Sequence, residues 1–474
     1  MNLHRRQVLQ WATRGIGSTA LLSMLIKDGL VLAEPPQTVA SNKSLHHPPK
    51  AKRVIHIVAC GGVSQVDSFD YKPELEKYHG KSLSGDKPDV FFGQVGLLKK
   101  NDWEFRKRGE SGLWISELFP HLAGVADELT VIRSMFAETS NHTPATFQEN
   151  TGFRLNGFPV FGAWASYGLG SVSQDLPTFV VIPDPRGVPA GGSINWTNGF
   201  LSAQHQGVVV RSQGTPMDDL FHPPDSSPAC ESDLRQLLKS LNEQHQLVRG
   251  DDDLAARMRS YEMAARMQRV VPEVTNLELE TEETRRMYGA DQKDTADFGR
   301  ACLLSRRMLE SGVQFIQLFS GGAFGSPRIN WDGHEDMVQN HTQEALRIDL
   351  PIAGLITDLR RRGMLDDTLV LFTSEFGRTP FAQSASDVVG KGRDHNQFGF
   401  SVWMAGAGLK PGFAYGSTDE IGMRAVDNPV HWHDFHATVL HLLGIDHERL
   451  TFYHNGIRRR LTDVSGQVVS GILA

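Results

Sequence analysis

The chain has 474 residues, a formal net charge of −7 and only three cysteines. The acidic balance argues against a nucleic-acid partner, and three cysteines are too few for a disulfide scaffold. Stability must come from a core, and the length is ample for one large or two medium domains.

The N-terminus opens H-R-R-Q-V-L, with Arg5 and Arg6 ahead of an apolar segment from Ile16 to Ile26 and then Val31-Leu32-Ala33. That is the layout of a cleavable export signal over residues 1–33. The apolar segment is about half the ~20 residues a membrane span needs, and Lys27 and Asp28 interrupt it. The adjacent arginines match the twin-arginine type, whose cargo crosses the membrane folded. The export route places the mature chain in the periplasm or outside the cell, with no membrane span after cleavage. Removing the basic segment leaves that chain near −10. Residues 34–52, polar and proline-containing, read as a linker.

Val54 to Ala59 then reads as a buried strand running into Gly61-Gly62 and on to Ser64, Asp67 and Asp70. Ser116 to Asp127 has a helical pattern with Ser116 as N-cap, followed by a strand from Leu129 to Ser134. That strand empties into E-T-S-N-H-T-P-A-T-F-Q-E-N-T-G, Glu138 to Gly152. Pro144 fits the first turn of a helix, which puts Ser140, Asn141, His142 and Thr143 at its N-terminus, where free amides favour an anion. Plain capping by Ser140, Asn141 or Thr143 explains the same pattern. Phe158 to Leu169 is a further helix and Pro177 to Ile182 a strand. From Pro183 to Pro228 the periodicity dissolves, which suits a lid or substrate-facing rim. Ser232 to Met267 and Leu277 to Tyr288 are charged and helical, so the excursion spans about 183–290.

Alternation returns with a helix at Thr295 to Ser311 and a strand at Val313 to Phe319. After it come Ser320-Gly321-Gly322 and N-W-D-G-H-E-D, offering Asp332 and His334. Asp349 is placed to cap a helix with Pro351 in its first turn and Gly363 as its stop. That helix leads to T-L-V-L-F-T-S-E-F-G-R, Thr368 to Arg378, an apolar strand with an abrupt polar end at Ser374, Glu375 and Arg378. Beyond it, G-R-D-H-N-Q supplies His395. Phe400 to Ala405 reads as a strand and His433 to Leu443 as a His-rich helix whose imidazoles suit packing and capping.

Strand ends thus carry Asp67, Asp70, His142, Asp332, His334, Glu375 and His395. Ligands of a catalytic divalent ion such as zinc or manganese come from this mixture, and in open α/β sheets chemistry collects at the carboxyl ends of strands. Taken singly, each is a common hydrogen-bonded structural group. The three cysteines, Cys60, Cys230 and Cys302, show no zinc-binding spacing and allow one bridge with one thiol left over.

L-I-T-D-L-R-R-R-G-M-L-D-D-T-L-V-L-F-T-S-E-F-G resembles the helix, turn and strand that end in T-S-D-H-G in sulfatases of the alkaline phosphatase superfamily. His433 to Gly444 resembles their D-x-x-P-T-x-L-x-x-x-G helix, and His142 to Gly152 falls in register with the signature C-T-P-S-R-A-S-L-L-T-G. With the twin-arginine start, G-G-V-S-Q-V-D-S-F-D-Y-K-P and W-D-G-H, the chain most closely resembles the exported "domain of unknown function 1501" family of that superfamily, from about Arg53 to Gly444. The resemblance implies an α/β fold, an alkaline phosphatase-like three-layer αβα sandwich with a mostly parallel central sheet over residues 53–474. It also implies an exported metal-dependent hydrolase of phosphate or sulfate esters, the substrate a small-molecule or polysaccharide ester.

In that frame Asp67, Asp332, His334, Glu375 and His395 hold one or two divalent ions (zinc, manganese or calcium). Arg378 and the helix N-terminus around Thr143 stabilise an oxyanion, His142 acts as general acid or base, and Thr143 is the fallback nucleophile. The sequence departs from the sulfatase pattern. His142 stands at the nucleophile precursor and Thr146 at its arginine partner, so a formylglycine mechanism is not available. Glu375 and Phe376 replace a metal-binding aspartate and histidine. The alternative is a binding protein that keeps the fold without turnover.

Overall fold

All residues of strand β1 (Arg53–Ala59) except Arg53 are buried. Its side chains alternate between two cores: Ile55, Ile57 and Ala59 enter one, Val54 and Val58 the other. A strand apolar on both faces is stable only inside a sheet covered on both sides. The structure, a computed structural model, describes residues 45–83, 90–91, 95–218, 220–221, 228–249 and 252–474. The expected export segment and the first part of the linker lie outside these residues.

In chain order, β1 is followed by a small antiparallel pair, β2 (Phe105–Arg108) and β3 (Leu113–Ser116), then β4 (Leu129–Phe136). Helices α1 (His142–Thr151) and α2 (Phe161–Leu169) lead to β5 (Phe179–Ile182) and β6 (Val208–Val209). After α3 (Pro228–Arg249) and α4 (Asp252–Val274) come α5 (Ala296–Glu310), β7 (Phe315–Ser320), α6 (Met337–Arg361) and β8 (Thr368–Thr373). The chain then forms β9 (Gly377–Ala382), β10 (Arg393–Asn396), β11 (Phe400–Gly406), β12 (Phe413–Tyr415) and α7 (Trp432–Leu442).

The main sheet runs β12-β4-β11-β8-β1-β7-β5-β6, with Val430–His431 added beside β4. Its pairs are parallel except those of β11 with β8 and β4. Helices α5 and α6 cover one face, through Leu303, Ile352 and Leu355 among others, while α2 and α7 cover the other through Trp164, Phe435 and Val439. The architecture is therefore an α/β three-layer sandwich around a mostly parallel sheet.

The topology explains where chemistry collects. Because β1, β4, β7 and β8 point the same way, residues 61–70, 138–142, 321–334 and 374–378 all emerge on one edge. Strand β11 runs the other way, so the segment that leads into it, including β10, lies on that edge too. Gly61 permits one close approach: with φ of 122°, any Cβ there would run into the backbone of Trp331 and Asp332.

By contacts the chain divides into two units, Met1–Ala40 with Pro223–Ser260 and Ser41–His222 with Tyr261–Ala474. In the first, the described residues form α3 and the start of α4. The second holds the sheet. The region expected to lack periodicity carries β6 and short 3-10 turns at Gly192–Trp196 and Ala203–His205.

Two expected caps act elsewhere. Ser116 ends β3 instead of starting a helix, and its hydroxyl donates to the Asp67 carbonyl at 2.6 Å. Asp349 lies inside α6, which begins at the N-cap Asp336 and carries Pro351 within it. Its carboxylate accepts from the amides of His121 and Leu122, each at 2.7 Å, and so serves the start of the short turn Leu122–Glu128 from across the fold. Cys60 and Cys302 are free, buried thiols; the Cys230 side chain lies outside the described residues.

A candidate metal centre at the carboxyl edge of the sheet

His142 is the first residue of α1, Asp332 and His334 follow β7, and His395 lies on β10. These four offer one ligand atom each, all within 4.8 Å of one another. Asp332 Oδ1 lies 2.7 Å from His334 Nε2 and 3.3 Å from Nε2 of both His142 and His395. His334 Nε2 and His395 Nε2 are 2.8 Å apart. Bonds of about 2 Å to a tetrahedral ion put ligand atoms ~3.3 Å apart. The donors are already near that spacing.

The outer nitrogens decide which way the lone pairs point. His142 Nδ1 is 2.7 Å from Glu375 Oε1, His395 Nδ1 is 2.6 Å from the Ser140 carbonyl, and His334 Nδ1 meets Gln383 Oε1. Each of these oxygens accepts, so each Nδ1–H donates outward and leaves an Nε2 lone pair facing inward. Three lone pairs then converge on a carboxylate oxygen. Metal-bound histidines are held in this way, by carboxylate or carbonyl partners on the other ring nitrogen. Among the described residues, the buried His142 Nε2 has no partner of good hydrogen-bond geometry, with Asp332 Oδ1 3.3 Å away. The residues fit a divalent ion.

The electrostatics agree. Burial works against charge on Asp332, yet Arg378 and the three imidazoles hold its carboxyl far below the usual range. Burial pushes the His395 imidazole well below its ordinary pKa, only partly offset by Asp332, so it is neutral and able to coordinate. Burial also opposes a charge on His142, but Asp332 and Glu375, one at each nitrogen, outweigh it and raise its pKa. The field that favours a proton on His142 favours a cation in the same place.

The other expected site residues sit around this cluster or apart from it. Glu375 does not join the four donors: both of its oxygens accept from the Gly61 amide, at 2.9 and 3.0 Å, and one also orients His142. Arg378 is fully buried. It donates to Asp332 Oδ1 at 2.7 Å, to Gly62 O at 2.9 Å and to the carbonyls of Gly61, Trp331 and Arg393, so it orients Asp332 and is engaged by five oxygens of the protein itself.

Asp67 is not part of the cluster. Its oxygens accept from Arg393 Nε at 2.7 Å, Ser64 Oγ at 2.5 Å and the Asp102 amide at 2.9 Å, which makes it a buried structural anion. Asp70 likewise pairs with Lys72 at 3.1 Å. Thr143 is exposed on the first turn of α1. His142, expected as an acid–base group, stands as the fourth donor.

Sequence reasoning missed Gln383, which fixes His334, and Arg328, which meets the outer oxygen of Asp332. The spacing of Arg328 four residues before Asp332 is a weak signal; Gln383 carries none.

An α/β sandwich with a buried three-histidine, one-aspartate cluster at its carboxyl edge defines the class. The family model described as "Protein of unknown function (DUF1501)" matches residues 51–473, and the chain belongs to that family. No curated protein matches. Among solved structures, the chain is similar to the lipoteichoic acid synthase LtaP from Listeria monocytogenes (12% identity, 86% of this chain and 76% of that one covered, TM-score 0.36). It is also similar to the PsFucS1 sulfatase from Pseudoalteromonas sp. (12% identity, 84% and 68% covered, TM-score 0.34). A third is the zinc complex of the C-terminal periplasmic domain of EcEptC from Escherichia coli (10% identity, 87% of each chain, TM-score 0.33). No helix among the described residues is long and apolar enough to cross a membrane.

Proposed function

We propose that this protein is an exported, metal-dependent hydrolase of phosphate or sulfate esters, with residues 1–33 directing export by the twin-arginine route. The supporting observation is the inward convergence of His142, His334 and His395 Nε2 on Asp332 Oδ1. Three imidazoles with one carboxylate suit zinc or manganese better than calcium, which takes oxygen ligands. When bound there, such an ion supplies Lewis-acid polarisation of an ester oxygen.

The chain's own residues do the rest. Glu375, Ser140 and Gln383 hold the imidazoles in one tautomer, and Arg378 fixes Asp332. The half-buried Arg328 guanidinium and the N-terminus of α1 at Thr143 offer positive charge to the anionic ester. Hydrolysis breaks the ester bond with water as the oxygen donor and releases an alcohol.

A binding protein that holds the ion without turnover is the second reading. It is favoured by Arg378 and Glu375 both being spent on internal partners.

Metal analysis of purified protein, combined with turnover of 4-nitrophenyl phosphate and 4-nitrophenyl sulfate, tests the assignment. The expected result is a stoichiometric transition ion and turnover, both lost in His395→Ala. Protein that takes up neither zinc nor manganese overturns the metal centre; metal without turnover of either ester leaves the binding reading.

A further inference from the structure

The chain enters β1 from a short irregular segment, residues 45–51, that lies across the C-terminal end of α7. Four of its amides cap that end: His46 and His47 donate to the Gly444 carbonyl at 2.9 and 3.3 Å, and Lys50 and Ala51 to the Leu442 carbonyl at 2.8 Å each. A helix terminus leaves such carbonyls without partners, so the segment supplies what α7 cannot. Gly444, with φ of 79°, lets it come this close, since a Cβ there would lie 2.7 Å from the His47 carbonyl oxygen.

Two histidines add contacts that depend on their protonation. His46 Nδ1 accepts from the Asp446 amide at 2.8 Å, which only an unprotonated Nδ1 can do. The His47 ring packs on His441 of α7, centroids 4.5 Å apart. Among the described residues, the buried His47 Nε2 has no partner of good hydrogen-bond geometry. A proton on His46 Nδ1 sets one N–H against another, and protons on both rings of the packed pair set like charges face to face. Burial disfavours the charged form of His46, with Arg449 and His47 acting the same way and Asp446 against them. His441 is held down by burial and then by His47 and His447, with Asp446 opposing. The Asp446 carboxylate faces both imidazoles, but its Oδ1 accepts from the Glu448 and Arg449 amides at 2.8 and 3.3 Å.

We infer that residues 45–51 form an acid-released strap, docked on α7 at neutral pH and set free when His46, His47 and His441 take up protons. The inference stands apart from the ester reading above. A base that the docked state keeps neutral and the free state lets charge favours docking above its ordinary value of ~6.5, and favours release as the pH falls below it. Once free, the segment adds roughly 25 Å of reach to the chain ahead of Leu45 and leaves the Leu442 and Gly444 carbonyls to water.

Hydrogen exchange of the full protein tests this at about pH 7.5 and about pH 5, either side of the free imidazole value. The readout is mass spectrometry of peptides covering residues 45–53, normalised for the pH dependence of intrinsic exchange. The amides of residues 46, 47, 50 and 51 should be protected at the higher pH and lose that protection at the lower, while β8 stays protected at both. His46→Asn keeps an acceptor in place of Nδ1 and His47→Phe keeps a ring; neither new side chain titrates, so the double variant should be protected at both. Wild-type amides that behave alike at the two pH values overturn the strap, and so does a double variant that loses protection as the wild type does. If the double variant docks at neither pH, His441→Phe is decisive. It leaves the segment intact and removes one charge of the packed pair, so release should move to lower pH; an unmoved release overturns the inference.

Discussion

Two buried aspartates at the same edge of the sheet each face a buried arginine, and only one of them belongs to the candidate metal cluster. Asp67 and Arg393 are both wholly buried and 2.7 Å apart. Asp332 and Arg378 are equally close and nearly as buried. The difference lies in the remaining neighbours. Around Asp67 every neighbour brings its own proton: the Ser64 hydroxyl, the Asp102 amide and the Arg393 guanidinium. Around Asp332 Oδ1 three imidazole nitrogens arrive with lone pairs, their protons having been given to Glu375, Ser140 and Gln383. What sets the candidate metal cluster apart is thus a deficit of protons among converging polar atoms, which the density of charge alone does not reveal.

Replacing Asp332 with alanine breaks that contrast most severely. Metal affinity should fall by more than the ~100-fold that loss of an outer partner can cause, read by equilibrium dialysis against zinc. The Arg393→Ala variant should act in the opposite sense, leaving Asp67 buried without its partner. Breaking a buried pair costs about 3–5 kcal/mol, measured by denaturant unfolding, while the folded fraction keeps its zinc.

The Asp67 pair also has a pH signature. Burial opposes its charge, but Arg393, Lys99, Ser64 and Asp102 bring its pKa down to about 2. A depressed carboxyl gives stability that is full above the unfolded value of ~3.9 and is lost as the pH falls through the folded value. An Arg393→Ala variant should lose this acid-side dependence. Retained dependence would assign it to other carboxylates.

Glu375→Gln sharpens the contrast with a smaller effect. The amide can present its NH₂ group to His142 Nδ1, which favours the tautomer that turns a proton inward. Zinc affinity should fall by about 10- to 100-fold, with the fold retained. An unaltered affinity would mean that Glu375 does not set the His142 tautomer.

Much of this was legible in the sequence because it depends on local pattern. The apolar runs at Val54–Ala59 and Thr368–Phe372 imply two-sided burial, and Pro144 marks the first turn of the helix that carries His142. Asp332, His334 and His395 follow from placing residues at strand ends. What stayed hidden depends on partners remote in sequence. Asp67 has the same local setting as a ligand, and only Arg393, 326 positions away, identifies it as structural. Asp349 has every local mark of an N-cap, yet the amides it serves belong to residues 121 and 122. Residue type shows what a side chain can bind, while the fold decides which partner reaches it first.

The smallest effect concerns an acid on neither side of the comparison. Glu149 lies two turns along α1 from His142, is fully buried, and among the described residues neither of its oxygens has a partner of good hydrogen-bond geometry. Burial and then the Glu375 charge push its carboxyl well above the usual range; the Thr373 hydroxyl, which is 2.8 Å from His56 Nε2, offsets only part of this. A neutral acid in the folded chain and an ionised one in the unfolded chain bind different numbers of protons. Folding stability attributable to Glu149 is therefore intact below the unfolded value of ~4.3 and declines as the pH rises above it. Glu149→Gln keeps the shape and removes the titration. The variant should match the wild type near pH 4 and exceed it in stability at pH 7 to 8. Denaturant unfolding across that range checks the sign: a variant weaker than the wild type at pH 8 would show that Glu149 is ionised and paired in the folded protein.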